Sequence, residues 1–196
     1  MGPAMVTDRD ALSTYSVVDA LRGGEAILIR ALRPDDQDRL LEHFNRLSET
    51  SRYLRFFGYK RRLDRAELAR LCNIDFDRHI AVVATLTKDG REYFVGVGRY
   101  VRLADDPRRA ELAFAVLDEI QGRGVGTLLL QHLSGIARNQ GVQELEAYVM
   151  GENQRMIEVL EHSGFSVERR YEDGIIRFVL PLGESAVAGR PPPPRG

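Results

Sequence analysis

Short runs of β-branched and apolar residues recur along the chain, separated by stretches in which apolar residues return every three or four positions. The runs at residues 26–30, 79–86, 92–103, 109–117, 145–150, 165–171 and 175–180 predict strands. Helical spacing places Leu40, Leu41, Phe44 and Leu47 on one face of a helix over 34–47, opened by Pro34 with Asp35 and Asp36 in its first turn. A short helix over 52–57 follows a turn of good capping residues, and Asp64 can cap a third, with Leu68, Leu71 and Cys72 on one face. Longer helical patterns run over 125–140 and from Asn153 to Ser163-Gly164. Residues 15–21 carry at most a weak helical pattern, broken by Gly23-Gly24.

Lys88-Asp89-Gly90 and Asp173-Gly174 are hairpin turns, so the strands around them are antiparallel. The strand–helix–strand passage over 109–150 needs one parallel connection. The fold class is therefore mixed α/β: a mostly antiparallel sheet of about seven strands with flanking helices. A doubly wound parallel sheet fits poorly. Gly96 and Gly98, inside a strand, predict a bulge or a close backbone approach. The expected organisation is an N-terminal extension over 1–24, partly disordered, a domain over 25–182, and a disordered proline-rich tail over 183–196.

With 196 residues the chain suits one domain with tails, and 43% hydrophobic with 29% charged residues is an ordinary globular composition. A net charge of −1 removes the global electrostatic case for nucleic acid or an anionic membrane, so any anion needs a local site. No apolar run approaches the roughly 18–20 residues that span a bilayer, and the first residues lack a secretory pattern; a cytoplasmic location is expected. Cys72 is the single cysteine, which excludes an internal disulfide and a multi-cysteine metal site. The four histidines lack metal-ligand spacing, so no metal is expected. Cys72 reads as a buried core thiol, His79 as core or acceptor-pocket lining, and Lys60-Arg61-Arg62 as a solvated helix start or an anion contact.

Gln121-Gly122-Arg123-Gly124-Val125-Gly126 joins a strand to a helix. A glycine-rich turn there aims several backbone N–H groups at one spot, where the helix dipole favours negative charge. A dinucleotide fingerprint would need a third glycine where Thr127 stands, and a nucleotide-triphosphate loop would need a lysine that is absent. A merely tight turn is the remaining structural alternative.

Gln121-x-x-Gly124-x-Gly126 resembles the [RQ]-x-x-G-x-[GA] motif of the Gcn5-related N-acetyltransferase superfamily. The strand before it, the helix after it, Asn153 opening the next helix and Gly164-Phe165 closing that one stand where this family has them. The segment from Ser51 to Gly58 and the strand Ala110-Glu111-Leu112-Ala113-Phe114 are most similar to the bacterial protein-lysine acetyltransferase branch. Members of that branch often carry a fused regulatory domain, for which this chain leaves no room.

The resemblance implies acetyl-CoA as acyl donor. Backbone N–H groups of Gly122, Arg123, Gly124, Val125, Gly126 and Thr127, beside Gln121, would hold its pyrophosphate. The Arg123 side chain would add a charged contact or face solvent. The backbone of Val116 and Leu117 would run beside the pantetheine arm, one N–H of this strand meeting the thioester oxygen. Asn153 would contact the same arm, with Met156 packed near it or simply in the core.

A lysine amine, with a pKa near roughly 10.4, needs a base. Glu111 shares a strand face with Ala113 and Ala115, which leaves open space beside it, and the related branch has its general base here. The alternative is a strand-end glutamate paired with Arg108 or Arg109. The tyrosine acid of many relatives falls on Leu160, which cannot donate a proton; Tyr148, water or unassisted departure of the thiolate remain. The expected activity is acetyl transfer to protein lysine side chains. A small-amine acetyltransferase and a non-catalytic acyl-CoA-binding module are the alternatives, and the oligomeric state is not legible.

Overall fold

The computed structural model describes residues 9–183, so the expected proline-rich tail, apart from Gly183, lies outside the described residues. A one-turn helix α1 (Arg9–Ser13) leads into strand β1 (Ser16–Ala20), then β2 (Ala26–Ala31). Helices α2 (Gln37–Arg46), α3 (Glu49–Phe56) and α4 (Arg65–Cys72) follow. Then come β3 (His79–Lys88), β4 (Arg91–Arg102), β5 (Arg109–Val116), α5 (Val125–Asn139), β6 (Glu144–Met150), α6 (Gln154–Glu161), β7 (Glu168–Glu172) and β8 (Ile175–Pro181).

One sheet has the order β1-β2-β3-β4-β5-β6-β8-β7, eight strands rather than about seven. The added strand is β1, where a weak helical pattern was expected. Val17 and Val18 favour an extended chain, and pairing from Ser16↔Arg30 to Ala20↔Ala26 supplies hydrogen bonds that an isolated turn of helix could not. Gly23 (φ 107°) and Gly24 (φ 87°) turn the chain back into β2. At the far end, β7 begins at Glu168 rather than at Phe165, because Phe165 and Val167 pack against the core before pairing starts. Only β5 and β6 are parallel, joined through α5.

The helices cover both faces. On one, α5 lies across β3, β4 and β5, and Leu129, Leu130 and Leu133 join Tyr100, Leu112 and Phe114 in a core that also takes Leu160 of α6. On the other, Leu40 and Phe44 of α2 and Leu68 and Cys72 of α4 pack on Val83, Phe94 and Val97. The close approach foreseen at Gly96 and Gly98 is that of α5. A Cβ on Gly96 would stand 2.8 Å from Val125 Cγ1, and one on Gly98 2.8 Å from Leu133 Cδ1. Gly96→Ala is therefore expected to destabilise the fold by about 1–3 kcal/mol in urea unfolding, because branched Val125 starts α5 and has no rotamer freedom to give.

Capping sets the helix starts. Ser48 Oγ accepts from Ser51 N–H (3.1 Å), so α3 begins at Glu49, three residues before its expected start. Asp64 and Glu67 form a reciprocal capping box for α4. Asp36 does more than complement a dipole. It is buried against Arg30 (2.7 Å), which also pairs with Glu92 (2.9 Å), tying β2, β4 and the entry to α2 together.

His43 is buried, its Nδ1–H donating to the Phe94 carbonyl (3.3 Å) while Nε2 has no partner among the described residues. Burial holds its pKa down to about 4. The unfolded chain, titrating near roughly 6.5, binds a proton that the native state refuses, so stability falls as pH drops from about 6.5 towards 4. This one residue accounts for about 3 kcal/mol of that loss. His43→Met should flatten the dependence in urea titrations across that range. Among the described residues no helix is long and apolar enough to cross a membrane.

Candidate active site

β5 and β6 pair only over Arg109↔Glu144, Ala110↔Leu145 and Glu111↔Glu146. Beyond Glu111 they diverge, β5 staying beside β4 and β6 beside β8, which opens a wedge in the middle of the sheet. The hydrogen-bond phase decides what faces it. Leu117 N–H donates to the Val95 carbonyl (2.9 Å), and in an antiparallel ladder alternate residues bond the same neighbour. Ala115 and Ala113 therefore bond β4, whereas Val116 and Phe114 turn their N–H and C=O groups into the wedge. Gln121 Nε2 takes the Val116 carbonyl (3.0 Å). The Val116 N–H and both groups of Phe114 remain open. Leu117 offers neither of its groups, since Ile120 N–H takes its carbonyl (3.0 Å).

The wedge runs into the glycine turn. Gly122 (φ 79°) and Gly124 (φ 96°) occupy the left-handed region, where a side chain is strained. Gly124 is the N-cap of α5, and no side chain caps that end. Among the described residues, the N–H groups of Gly122, Gly124, Val125, Gly126 and Thr127 have no protein partner, whereas those of Gln121 and Arg123 close turns onto Asp118 and Ile120. Gly126 is small for a packing reason: a Cβ there would lie 3.3 Å from both Phe114 and Val159.

Charge around this turn differs from the sequence expectation. The Arg123 side chain does not line the cleft; it lies at the surface, partly exposed, and pairs there with Glu25 (2.6 Å). Arg22 takes the place beside the turn. Its N–H donates to the Arg123 carbonyl (2.9 Å), and its side chain runs past Gly124 along the cleft wall. Arg155 also lines the cleft and bonds Gln121 Oε1, so Gln121 clamps β5, the turn and α6 together.

The cleft holds about 930 Å³ and runs from this turn between α6 and α3 along β5. Asn153 caps α6 with Oδ1 accepting from Met156 N–H (3.2 Å); its Nδ2 is unengaged on the cleft wall. Met156 both lines the cleft and packs on the core. Leu160 is fully buried and takes no part in the wall. Tyr148, on the wall, donates to Glu146 Oε2 (3.1 Å), and burial with the Glu146 charge raises its pKa. On the opposite side, Asp118 accepts from Ser48 N–H (3.0 Å) and Ser51 Oγ (2.7 Å), holding the start of α3 against the end of β5. Thr50, Ser51, Leu54, Arg55 and Phe57 form that wall.

Glu111 stands one step beyond Leu112 and Ala113 of the wall, exposed, where β5 and β6 separate. It has no hydrogen bond or ion pair among the described residues. Arg108 is held by Asp106 (3.0 Å), and Arg109 by Glu146 and Glu144. That removes the structural pairing considered for Glu111. Of the other candidates, Cys72 is buried in the core, its thiol pushed up to about 11 by burial, and Lys60 is held by Glu67 (2.5 Å).

Residues 26–166 match the family model described as the acetyltransferase (GNAT) domain. The chain belongs to the GNAT acetyltransferase family. An acetyltransferase of Pseudomonas aeruginosa is 32% identical over 156 residues, covering 80% of this chain and 83% of that protein. The acetyltransferase Pat of Mycolicibacterium smegmatis is 32% identical over 144 residues, 74% of this chain, which spans only 42% of that relative's length. Among solved structures, the GNAT domain of S. lividans PAT superposes with a TM-score of 0.77 at 32% identity, covering 85% of this chain and 96% of that one. The mixed sheet with its flanking helices is the GNAT fold, and the protein is an acyltransferase of this family.

Proposed function

We propose that this GNAT enzyme moves the acetyl group of acetyl-CoA to lysine side chains of proteins, by direct attack in a ternary complex. The observation that carries the reading is the wedge: unpaired N–H groups lead continuously from the glycine turn to an unpaired carboxylate, Glu111. The pyrophosphate would rest on the N–H groups of Gly122, Gly124, Val125, Gly126 and Thr127, with Arg22 adding charge. The pantetheine arm would pair with β5 as an added strand does, through Phe114 and Val116 and not through Leu117, and reach Asn153 Nδ2. The Phe114 or Val116 N–H would donate to the thioester oxygen as negative charge develops on it.

Glu111 takes a proton from the incoming ammonium, and the neutral nitrogen attacks the thioester carbon. The carbon–sulfur bond breaks, the nitrogen of the adduct gives up its second proton through water to leave a neutral amide, and that proton ends on the departing thiolate. With a thiol pKa of about 8.5 it leaves without a strong acid, which suits a site where a leucine, Leu160, stands in place of a donor and the Tyr148 hydroxyl is engaged in a hydrogen bond to Glu146. An exposed base at the mouth of a cleft suits a lysine delivered on its long stem by a bulky partner. Relatives named Pat support the same class of acceptor. Initial rates of thiol release should be higher with lysine-bearing proteins than with polyamines or aminoglycosides at equal amine concentration. A clear preference for a small amine would overturn the choice of acceptor.

A further inference from the structure

Arg99, on β4, is only 8% exposed, yet among the described residues no carboxylate pairs with it. Its protein contacts are neutral: Nη1 donates to the Leu71 carbonyl (3.4 Å) and to His79 Nε2 (3.2 Å). Burial and the Arg99 charge hold His79 down to about 4, so it carries no charge at neutral pH. Cys72 nearby is a neutral thiol, and Asp75 is occupied by the N–H groups of Asp77, Arg78 and His79. Burial, then Arg55, pulls Arg99 down to about 9, still protonated at neutral pH.

Register puts Arg99 beside Ala113 of the cleft wall and one step from the Val101↔Glu111 pair, all on one sheet face. Arg55 lines the cleft from α3, also without a carboxylate in contact among the described residues, and it acts on Arg99 while Glu111 acts on it. Arg70 also acts on Arg99, and Asp75 acts on His79; neither the Glu111 nor the Asp75 carboxylate is in contact with either guanidinium, so the Arg99 charge is left without a contacting counter-ion among the described residues. A buried cation without a counter-ion is costly unless a ligand supplies one.

We propose that Arg55 and Arg99 form an anion subsite on the acceptor side of the cleft, which takes a carboxylate carried by the acceptor close to its reacting amine. This deepens the proposed acetyl transfer and rests on it for the acceptor's identity. The carboxylate can belong to an acidic residue beside the target lysine or be the α-carboxylate of a free amino acid. The fork of a guanidinium matches either bidentately.

Succinate serves as a probe that needs no catalysis. It should raise the melting temperature of the wild type, and raise that of Glu111→Gln further, because removing the carboxylate that acts on Arg55 leaves the arginines less compensated. Arg55→Gln and Arg99→Gln should lose the response. Arg99→Met guards against misfolding, since an apolar chain replacing an unpaired buried cation should fold at least as stably. A turnover arm compares lysine peptides with Glu or Gln beside the lysine, and free lysine with lysinamide. The carboxylate-bearing member whose source is right should be favoured by about tenfold or more in kcat/KM, a preference that falls to near unity in Arg99→Gln. An unchanged succinate response in Arg99→Gln, or none in the wild type, overturns the subsite. A succinate response that depends on both arginines, without turnover of any lysine acceptor, upholds the subsite and rejects lysine acetylation.

Discussion

Glu111→Gln is expected to lower kcat by about 10²–10⁴-fold, the range for removing a general base, while acetyl-CoA affinity stays within about twofold. The second half follows from position: Glu111 lies beyond the cleft wall and away from the glycine turn. The pH profile gives a sharper signature. Without the base, only amine already neutral in solution reacts, and for lysine, with a pKa near roughly 10.4, that fraction rises about tenfold per pH unit below it. The defect should therefore shrink steadily from pH 7 to pH 10. A variant at full rate across that range would show that Glu111 is not the base. A uniform defect at every pH would assign it to positioning instead.

Gly124→Glu should weaken acetyl-CoA binding by at least about 100-fold. Two effects act together. At φ 96° any side chain is strained, by about 1–2 kcal/mol. A carboxylate at the N-cap of α5 would also sit against the pyrophosphate, where two like charges about 4 Å apart repel by about 4 kcal/mol at an effective dielectric near 20. Gly124→Ala carries the strain alone and should lose far less affinity. Measured by calorimetry with CoA, equal losses in the two variants would mean that the turn is only a tight turn.

The turns and the crossover were legible because their chemistry is local. Asp-Gly at 89–90 and 173–174 can do little but close hairpins, and the strand–glycine–helix passage after Val116 dictates a parallel neighbour. β1 was not legible, since five residues of mixed propensity become a strand only when β2 offers its edge. At the site, the glycine turn and the open surroundings of Glu111 followed from residue type and face alternation. Which β5 backbone groups enter the wedge did not, because the phase of a hydrogen-bonded ladder leaves no mark on composition; hence the exchange of Leu117 for Phe114. Arg22 could not be foreseen either. It is brought to Gly124 by the β1–β2 hairpin, about a hundred positions earlier in the chain. Arg55, followed by Phe56 and Phe57, lay in a segment singled out by resemblance, but only the packing of α3 beside β5 gives it and Arg99 a shared corner.

The most direct test of acetyl transfer to lysine is a paired measurement: thiol released from acetyl-CoA and ε-N-acetyl-lysine formed on a protein acceptor, followed together by absorbance and mass spectrometry. One acetyl-lysine per thiol is predicted, with both signals falling together in Glu111→Gln and no acetyl group found on the enzyme as an intermediate. Acetyl-CoA bound tightly with neither product formed from any acceptor, or thiol released without acetyl-lysine, would contradict it.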